Sequence, residues 1–254
     1  MLIDSHAHLN DQKFKDDVEE VIKRARQNGV EKIITVGYDL PTSEEAVRLS
    51  EKYPEIYAAV GIHPHDAKAL NDQVFSRLEQ LLDHPRVVAL GEIGLDFYRD
   101  LSPREVQREA FIRQLKLARE KGKPVIIHDR DAHQEVFDTL KEHALGLPGV
   151  IHCFSGSAEL ALRYIKELNF YISLAGPLTF KNNVKGKEVA KKVPLEYLLV
   201  ETDCPYLTPE PFRGRRNEPG LVTLVAEEIA RIKGIAKEEA FQALTENTTK
   251  LFNL

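Results

Sequence analysis

Cysteine is scarce in this 254-residue chain, where only Cys153 and Cys204 occur, and methionine is scarcer still, with Met1 alone. Two cysteines cannot frame a fold of this length, so a disulfide scaffold is excluded and a reducing, cytoplasmic setting is expected. Long hydrophobic runs are missing too. No stretch approaches the ~20 apolar residues of a membrane span, and Met1-Leu2-Ile3 leads straight into Asp4 and His6, so no signal peptide is expected. Positive charge is not in excess. With 35 Lys and Arg against 40 Asp and Glu, the net charge is −5. That excludes a surface coated for non-specific nucleic-acid binding but leaves room for a local basic patch. Several catalytic signatures are also absent. There is no Gly-x-Ser-x-Gly elbow, no His-Glu-x-x-His helix and no Gly-Lys-Ser/Thr phosphate loop. No Gly/Ser-rich linker or composition break divides the chain, so one domain over residues 1–254 is expected.

What is present is a rhythm. Apolar, β-branched runs at 2–6, 32–37, 56–61, 87–91, 124–128, 149–152, 170–173 and 197–201 predict eight strands. Helical patterns fall between them, at about 15–27, 71–83, 132–144, 157–167, 182–192 and 219–232, with a last one at 237–246. Two more helices carry start signals: one from Pro41 with Thr42 as the cap, and one from Ser102-Pro103-Arg104-Glu105 with Ser102 as the cap. Strand and helix alternating every ~20–40 residues predicts an α/β fold, a single-domain (β/α)8 TIM barrel. A doubly wound open sheet would want a Gly-rich loop after the first strand, where His6-Ala7-His8 stands instead.

In such a barrel the active site is built from the C-terminal ends of the strands and the loops that follow. Those ends are rich in metal-ligand types. They carry His6 and His8 on strand 1, His63 and His65 after strand 3, Glu92 at strand 4, His128 on strand 5, His152 on strand 6, and Glu201 and Asp203 on strand 8. Side chains alternate faces along a strand, so His6 and His8 share a face with Asp4, and Glu201 shares one with Asp203. Taken singly, each has an ordinary structural reading, as a hydrogen-bonded core histidine, a lysine partner or a turn cap. Together, four strand-end imidazoles and two or more carboxylates at one end of a barrel are too costly to bury without a charge-compensating partner, and metal ions are the simplest one. Imidazole mixed with carboxylate suits Zn, Mn, Fe or Ni better than an all-oxygen Mg or Ca site. His63 and His65 lie in a loop, where they either touch substrate or hydrogen-bond a ligand. Cys153 and Cys204 adjoin candidate ligands but by parity face away, as packing residues.

The segments Ile3-Asp4-Ser5-His6-Ala7-His8-Leu9, Gly61-Ile62-His63-Pro64-His65, Gly91-Glu92-Ile93-Gly94-Leu95-Asp96 and Pro124-Val125-Ile126-Ile127-His128 follow one another along the chain. After them come His152-Cys153-Phe154-Ser155-Gly156, Glu201-Thr202-Asp203-Cys204-Pro205-Tyr206-Leu207 and Arg213-Gly214-Arg215-Arg216-Asn217-Glu218-Pro219. In this order, and over the whole chain, the sequence resembles the TatD family of metal-dependent deoxyribonucleases, within the amidohydrolase-like TIM barrels. The resemblance implies two divalent metal ions, from among Zn, Mn, Mg, Ni and Fe. One would be held by His6, His8 and Asp203 and the other by His128 and His152, with Glu92 bridging them where related barrels often use a carbamylated lysine. It further implies Asp203 and Glu92 as catalytic residues, Asp203 orienting and deprotonating an activated water, with Glu201 and His65 supporting the ligands from behind.

Arg213, Arg215 and Arg216 lie close together in the loop after strand 8. With Arg130 past strand 5 and His63, they are candidates to contact substrate phosphates. Tyr206 and Phe212 either stack on a base or pack. The expected partner is DNA or another phosphodiester, with no membrane and no obligate protein partner. The same metal pair would also serve another ester or amide bond, on a small molecule or an aminoacyl-tRNA. A non-catalytic metal-binding protein is the third reading, and the intact ligand set and the arginine loop speak against it.

Overall fold

The structure is a computed structural model that describes residues 1–254. Its strands are β1 (Leu2–Ala7), β2 (Val30–Val36), β3 (Ile56–Val60), β4 (Val87–Asp96), β5 (Val125–Arg130), β6 (Gly149–Ile151), β7 (Tyr171–Leu174) and β8 (Leu198–Val200). They pair in parallel and in sequence order. The helices that follow them are α1 (Val18–Gln27), α2 (Leu40–Lys52), α3 (Asp72–Leu82), α4 (Arg104–Lys121), α5 (His133–His143), α6 (Ala158–Arg163), α7 (Val184–Lys192) and α8 (Val222–Lys233). This is the expected (β/α)8 barrel. Its seam closes where Ser5 Oγ donates to the Val200 carbonyl (2.8 Å) and the Asp203 N–H to the His6 carbonyl (2.9 Å). Parallel strands covered on both faces must be apolar on both, and β1, β4 and β8 are buried along their whole length.

The inside of the barrel is filled by Ile34, Val36, Ala59, Ala89, Ile126, Val150 and Leu199, together with Leu251 and Phe252 of the final helix, α9 (Lys237–Phe252). Asn247 Nδ2 donates to the Leu195 and Leu198 carbonyls, and Thr245 Oγ1 to the Met1 carbonyl. All three acceptors lie at or just before strand starts, so α9 plugs the end of the barrel opposite the strand C-termini. It runs six residues past the expected 246 because those last turns carry the plug. No helix is long and apolar enough to cross a membrane.

Both expected caps shift. Asp39, not Thr42, caps α2. The Asp39 carboxylate accepts from the Thr42 N–H (2.8 Å) and Thr42 Oγ1 accepts from the Asp39 N–H (3.0 Å), a capping box that places Pro41 in the first turn. Ser102 does not cap α4 either. Its hydroxyl donates to the His65 carbonyl (2.8 Å), tying two loops at the mouth, and α4 begins one residue after Pro103 with no side-chain cap.

The largest departure is β4, which continues five residues beyond Gly91. Leu90 pairs with Val125 and Ile93 with Ile127, so one extra residue is accommodated and the strand bulges at Gly91-Glu92. Glycine is required there. A Cβ on Gly91 would lie 2.6 Å from Ile126 Cβ, and one on Gly94, whose φ is +145°, 2.0 Å from the His128 carbonyl oxygen.

Candidate metal centre

Six strands and the first turns after them deliver the sequence-marked residues to one buried cluster. His6 lies in β1 and His8 one residue past it. Their Nε2 atoms are 3.2 Å apart, and His8 Nε2 is 3.3 Å from Asp203 Oδ1. Glu92 projects from the β4 bulge with its two oxygens facing different groups. Oε2 faces His6 Nε2 (3.5 Å) and His8 Nε2 (3.8 Å). Oε1 faces His128 Nδ1 (2.7 Å), His152 Nε2 (2.7 Å) and His63 Nε2 (3.4 Å). Behind them, His152 Nδ1 lies 3.2 Å from Glu201 Oε1, and the His6 and His152 rings stack at 4.1 Å. Asp203 arrives by a different route from the one parity suggests. β8 ends at Val200, and Asp203 sits in a left-handed turn at φ +54°.

For His8, His128 and His63 the outer partner fixes where the ring's lone pair points. A carbonyl can only accept, so His8 Nδ1, 2.8 Å from the Val36 carbonyl, carries a proton and leaves the Nε2 lone pair facing the cluster. His128 Nε2 donates to Asp96 Oδ2 (3.1 Å), which frees Nδ1 in the same way. His63 is reversed. Its Nδ1 accepts the His65 N–H (3.1 Å), so the neutral ring presents an N–H to Glu92. Burial pushes His63 down to about 4, in keeping with that neutral form. His63 therefore turns an N–H to Glu92, whereas His6, His8, His128 and His152 turn ring nitrogens toward the cluster.

The donor set fits divalent cations. Three groups of His and carboxylate ligand atoms lie within 4.8 Å of one another: His6 with His8 and Asp203, His6 with His152 and Glu201, and His63 with Glu92 and His128. Two buried atoms, His6 Nδ1 and Glu201 Oε2, have no hydrogen-bond partner. Burial alone would raise the Glu92 carboxyl, but the surrounding imidazoles, His152 first, hold it well below the carboxylate range. Asp203 is also held low against burial, by His8 first. Both carboxylates are thus ionised and facing imidazole nitrogens, as metal ligands must be.

Sequence reasoning set Asp4 on the face of His6 but gave neither Asp4 nor Asp96 a part in holding this shell. Asp4 Oδ2 accepts from Thr202 Oγ1 (2.6 Å) and Oδ1 from the Thr202 N–H (2.9 Å), which pins the turn carrying Asp203. Burial raises Asp4 to about 8. Asp96 accepts from both His128 and His65 (2.8 Å). Asp4 shares parity with His6, and Asp96 with Glu92 through Gly94, so alternation along the full strands was the usable signal.

The arginines divide. Arg216 pairs with Asp17 (2.6 Å) and Glu218 (2.9 Å) and caps the Phe14 ring, so it fastens the loop and is not free for phosphate. Arg130, Arg213 and Arg215 are exposed around the mouth and lie over the Tyr98, Phe180 and Phe212 rings. Cys204 is buried, Cys153 half-buried, and burial pushes both thiols up, as suits packing residues.

A model of the TatD related DNase family matches residues 3–253. The chain belongs to the TatD family. The uncharacterized metal-dependent hydrolase YabD of Bacillus subtilis is 49% identical over 100% of both chains. The TatD protein of Edwardsiella piscicida, named a 3′-5′ ssDNA/RNA exonuclease, is 37% identical, again over 100% of both. The crystal structure of YjjV, a TatD homologue from Escherichia coli, superposes with a TM-score of 0.94 at 36% identity, covering 100% of this chain and 98% of that one. The TatD barrel thus accounts for the fold from end to end.

Proposed function

We propose that this TatD-family chain acts, as one domain over residues 1–254, as a metal-dependent nuclease that hydrolyses DNA phosphodiester bonds. The single observation that carries the reading is Glu92, one carboxylate whose two oxygens face two separate imidazole groups. His6, His8 and Asp203 would hold one divalent ion, His128 and His152 a second, and Glu92 both. Zn, Mn, Mg, Ni and Fe are the ions to test. Bound there, they would supply Lewis acidity to a phosphodiester and lower the pKa of a water. The chain's own groups do the rest. Asp203, ionised and only partly covered, orients the attacking water and takes its proton. His63 keeps Glu92 turned by its N–H, and Glu201 holds His152 by accepting from its Nδ1–H. Arg130, Arg213 and Arg215 offer unpaired positive charge at the mouth, where a phosphate backbone would run.

The test is a chelated preparation given each metal singly and offered single- and double-stranded DNA, RNA, and simple esters and amides. DNA hydrolysis that appears with metal and disappears with chelator is expected. Asp203→Asn should lower kcat about 10²–10⁴-fold, the range of a lost general base, with the circular dichroism spectrum retained. Continued DNA hydrolysis by metal-free Asp203→Asn protein would overturn the reading. Turnover of esters or amides alone would move the assignment to another bond, and metal binding without any turnover would make the chain non-catalytic.

A further inference from the structure

The loops around the mouth expose aromatic rings that the core does not need. Tyr98, in the loop after β4, is 59% exposed, and Tyr206, in the loop after β8, is 47% exposed. Each ring has a cation over one face, Arg130 at 4.4 Å from the Tyr98 centroid and Lys13 at 4.4 Å from that of Tyr206. A cation on one face steadies a ring and leaves the other free to stack.

Neither ring is loosely placed. The Tyr98 N–H donates to Asp96 Oδ1 (3.0 Å), while the other oxygen of that carboxylate accepts from His128. The Tyr206 N–H donates to the Asp203 carbonyl (3.0 Å), its own carbonyl accepts from Asn217 (2.7 Å), and its hydroxyl donates to Asp11 (3.2 Å). Both tyrosines are therefore fastened through the backbone to residues of the metal centre. The strands that carry them, β4 and β8, stand four places apart either way round an eight-strand ring. They therefore lie on opposite sides of the barrel, and Glu92 and its imidazoles lie at its mouth.

We propose that Tyr98 and Tyr206 are base platforms on opposite sides of the mouth, each stacking a base of one unpaired strand whose phosphate lies over the metal centre. This deepens the nuclease reading and rests on it. A π-face stacks on any base, so the platforms select strandedness and not sequence. A duplex keeps its bases turned inward against each other, and presenting them to two rings costs their pairing and stacking. Arg130 and Lys13 serve twice, holding the rings and adding charge beside the backbone.

The test pairs Tyr98→Ala and Tyr206→Ala with single-stranded oligonucleotides carrying one abasic residue at successive positions from the cleaved bond. Bis(p-nitrophenyl) phosphate is the base-free comparison. On the intact oligonucleotide, each alanine variant should lose about ten- to a hundredfold in kcat/KM, mostly through KM. The ratio to the base-free diester should fall by the same factor, and Tyr98→Phe or Tyr206→Phe should restore it. At one abasic position per tyrosine the wild type should lose a similar factor, while the matching alanine variant loses little more. Additive losses at every position, an equal loss on the base-free diester, or failure of phenylalanine to restore activity would overturn the platforms alone. If the wild type turns over the base-free diester and cleaves no oligonucleotide, the nuclease reading falls and the platforms fall with it.

Discussion

The states of His8 and His63 are set by outer partners that can act in only one sense. His8 Nδ1 meets a carbonyl and must donate; His63 Nδ1 meets a backbone N–H and must accept. Two imidazoles of the same cluster therefore do opposite jobs, one offering a lone pair and the other a proton. Residue type alone cannot distinguish them, which is why the sequence left His63 open between substrate contact and support of a ligand. His63→Ala leaves Glu92 Oε1 facing His128 and His152 but without its N–H donor. Loss of such a supporting hydrogen bond should weaken metal binding about 10–100-fold, measured by competitive metal titration. His63→Gln, whose amide N–H can still reach Glu92, should recover part of that loss. A direct ligand would show no recovery.

At the scale of elements, the site depends on two devices with opposite legibility. The β4 bulge is the first. Gly91 and Gly94 look like strand breakers in the sequence, so the expected strand stopped at 91, whereas both mark close approaches inside a longer strand. Gly94→Ala would drive a Cβ into the His128 carbonyl at a φ that L-residues avoid. It should cost about 3 kcal/mol or more in urea unfolding and remove activity, because the same backbone presents Glu92. The second device fastens the loop after β8. Arg24 of α1 and Arg216 grip Asp17 and Glu218. The sequence displayed Arg216 as one of three equivalent arginines, since the partner Asp17 lies 199 residues away. Asp17 is held below its ordinary 3.8 chiefly by Arg216, and Glu218 below 4.5 by Arg24 and Arg216 against burial. Their folded pKa values lie under the unfolded ones, so the stability they contribute is present above about pH 4.5 and is lost as pH falls further. These side chains are partly exposed and screened, so Arg216→Ala should cost only about 1 kcal/mol at pH 7. The difference from wild type should shrink below pH 4, read from paired urea titrations. A difference that stays constant to pH 3 would mean that packing on Phe14, not the ion pairs, carries the effect.

Across the whole molecule, the barrel separates the end that folds from the end that reacts. The repeating strand–helix order was legible because periodicity is written locally, and the cluster of histidines and carboxylates was legible because its residues sit at or just past strand ends. The plug was not, because nothing in residues 247–252 announces that Leu251 and Phe252 turn into the barrel. This division has a measurable consequence. At the upper end Glu92 and Glu201 are buried and Asp203 half-buried among imidazoles, and an ion bound only to the folded state stabilises it by mass action, about 2.7 kcal/mol per site at a hundred times Kd. Chelation should therefore lower Tm by several degrees, at about 2–4 °C per kcal/mol for a chain of this size. At the lower end, Phe252→Ala empties part of the plug and should cost about 3 kcal/mol, with kcat and KM kept at temperatures where the variant is folded. The two perturbations share no partner and lie at opposite ends of the barrel, so their free energies should add to within about 0.5 kcal/mol. Unfolding the wild type and Phe252→Ala, each with metal and with chelator, measures that sum. A larger discrepancy would show that the strands transmit strain from plug to metal centre, and that the barrel is not the rigid spacer its two ends imply.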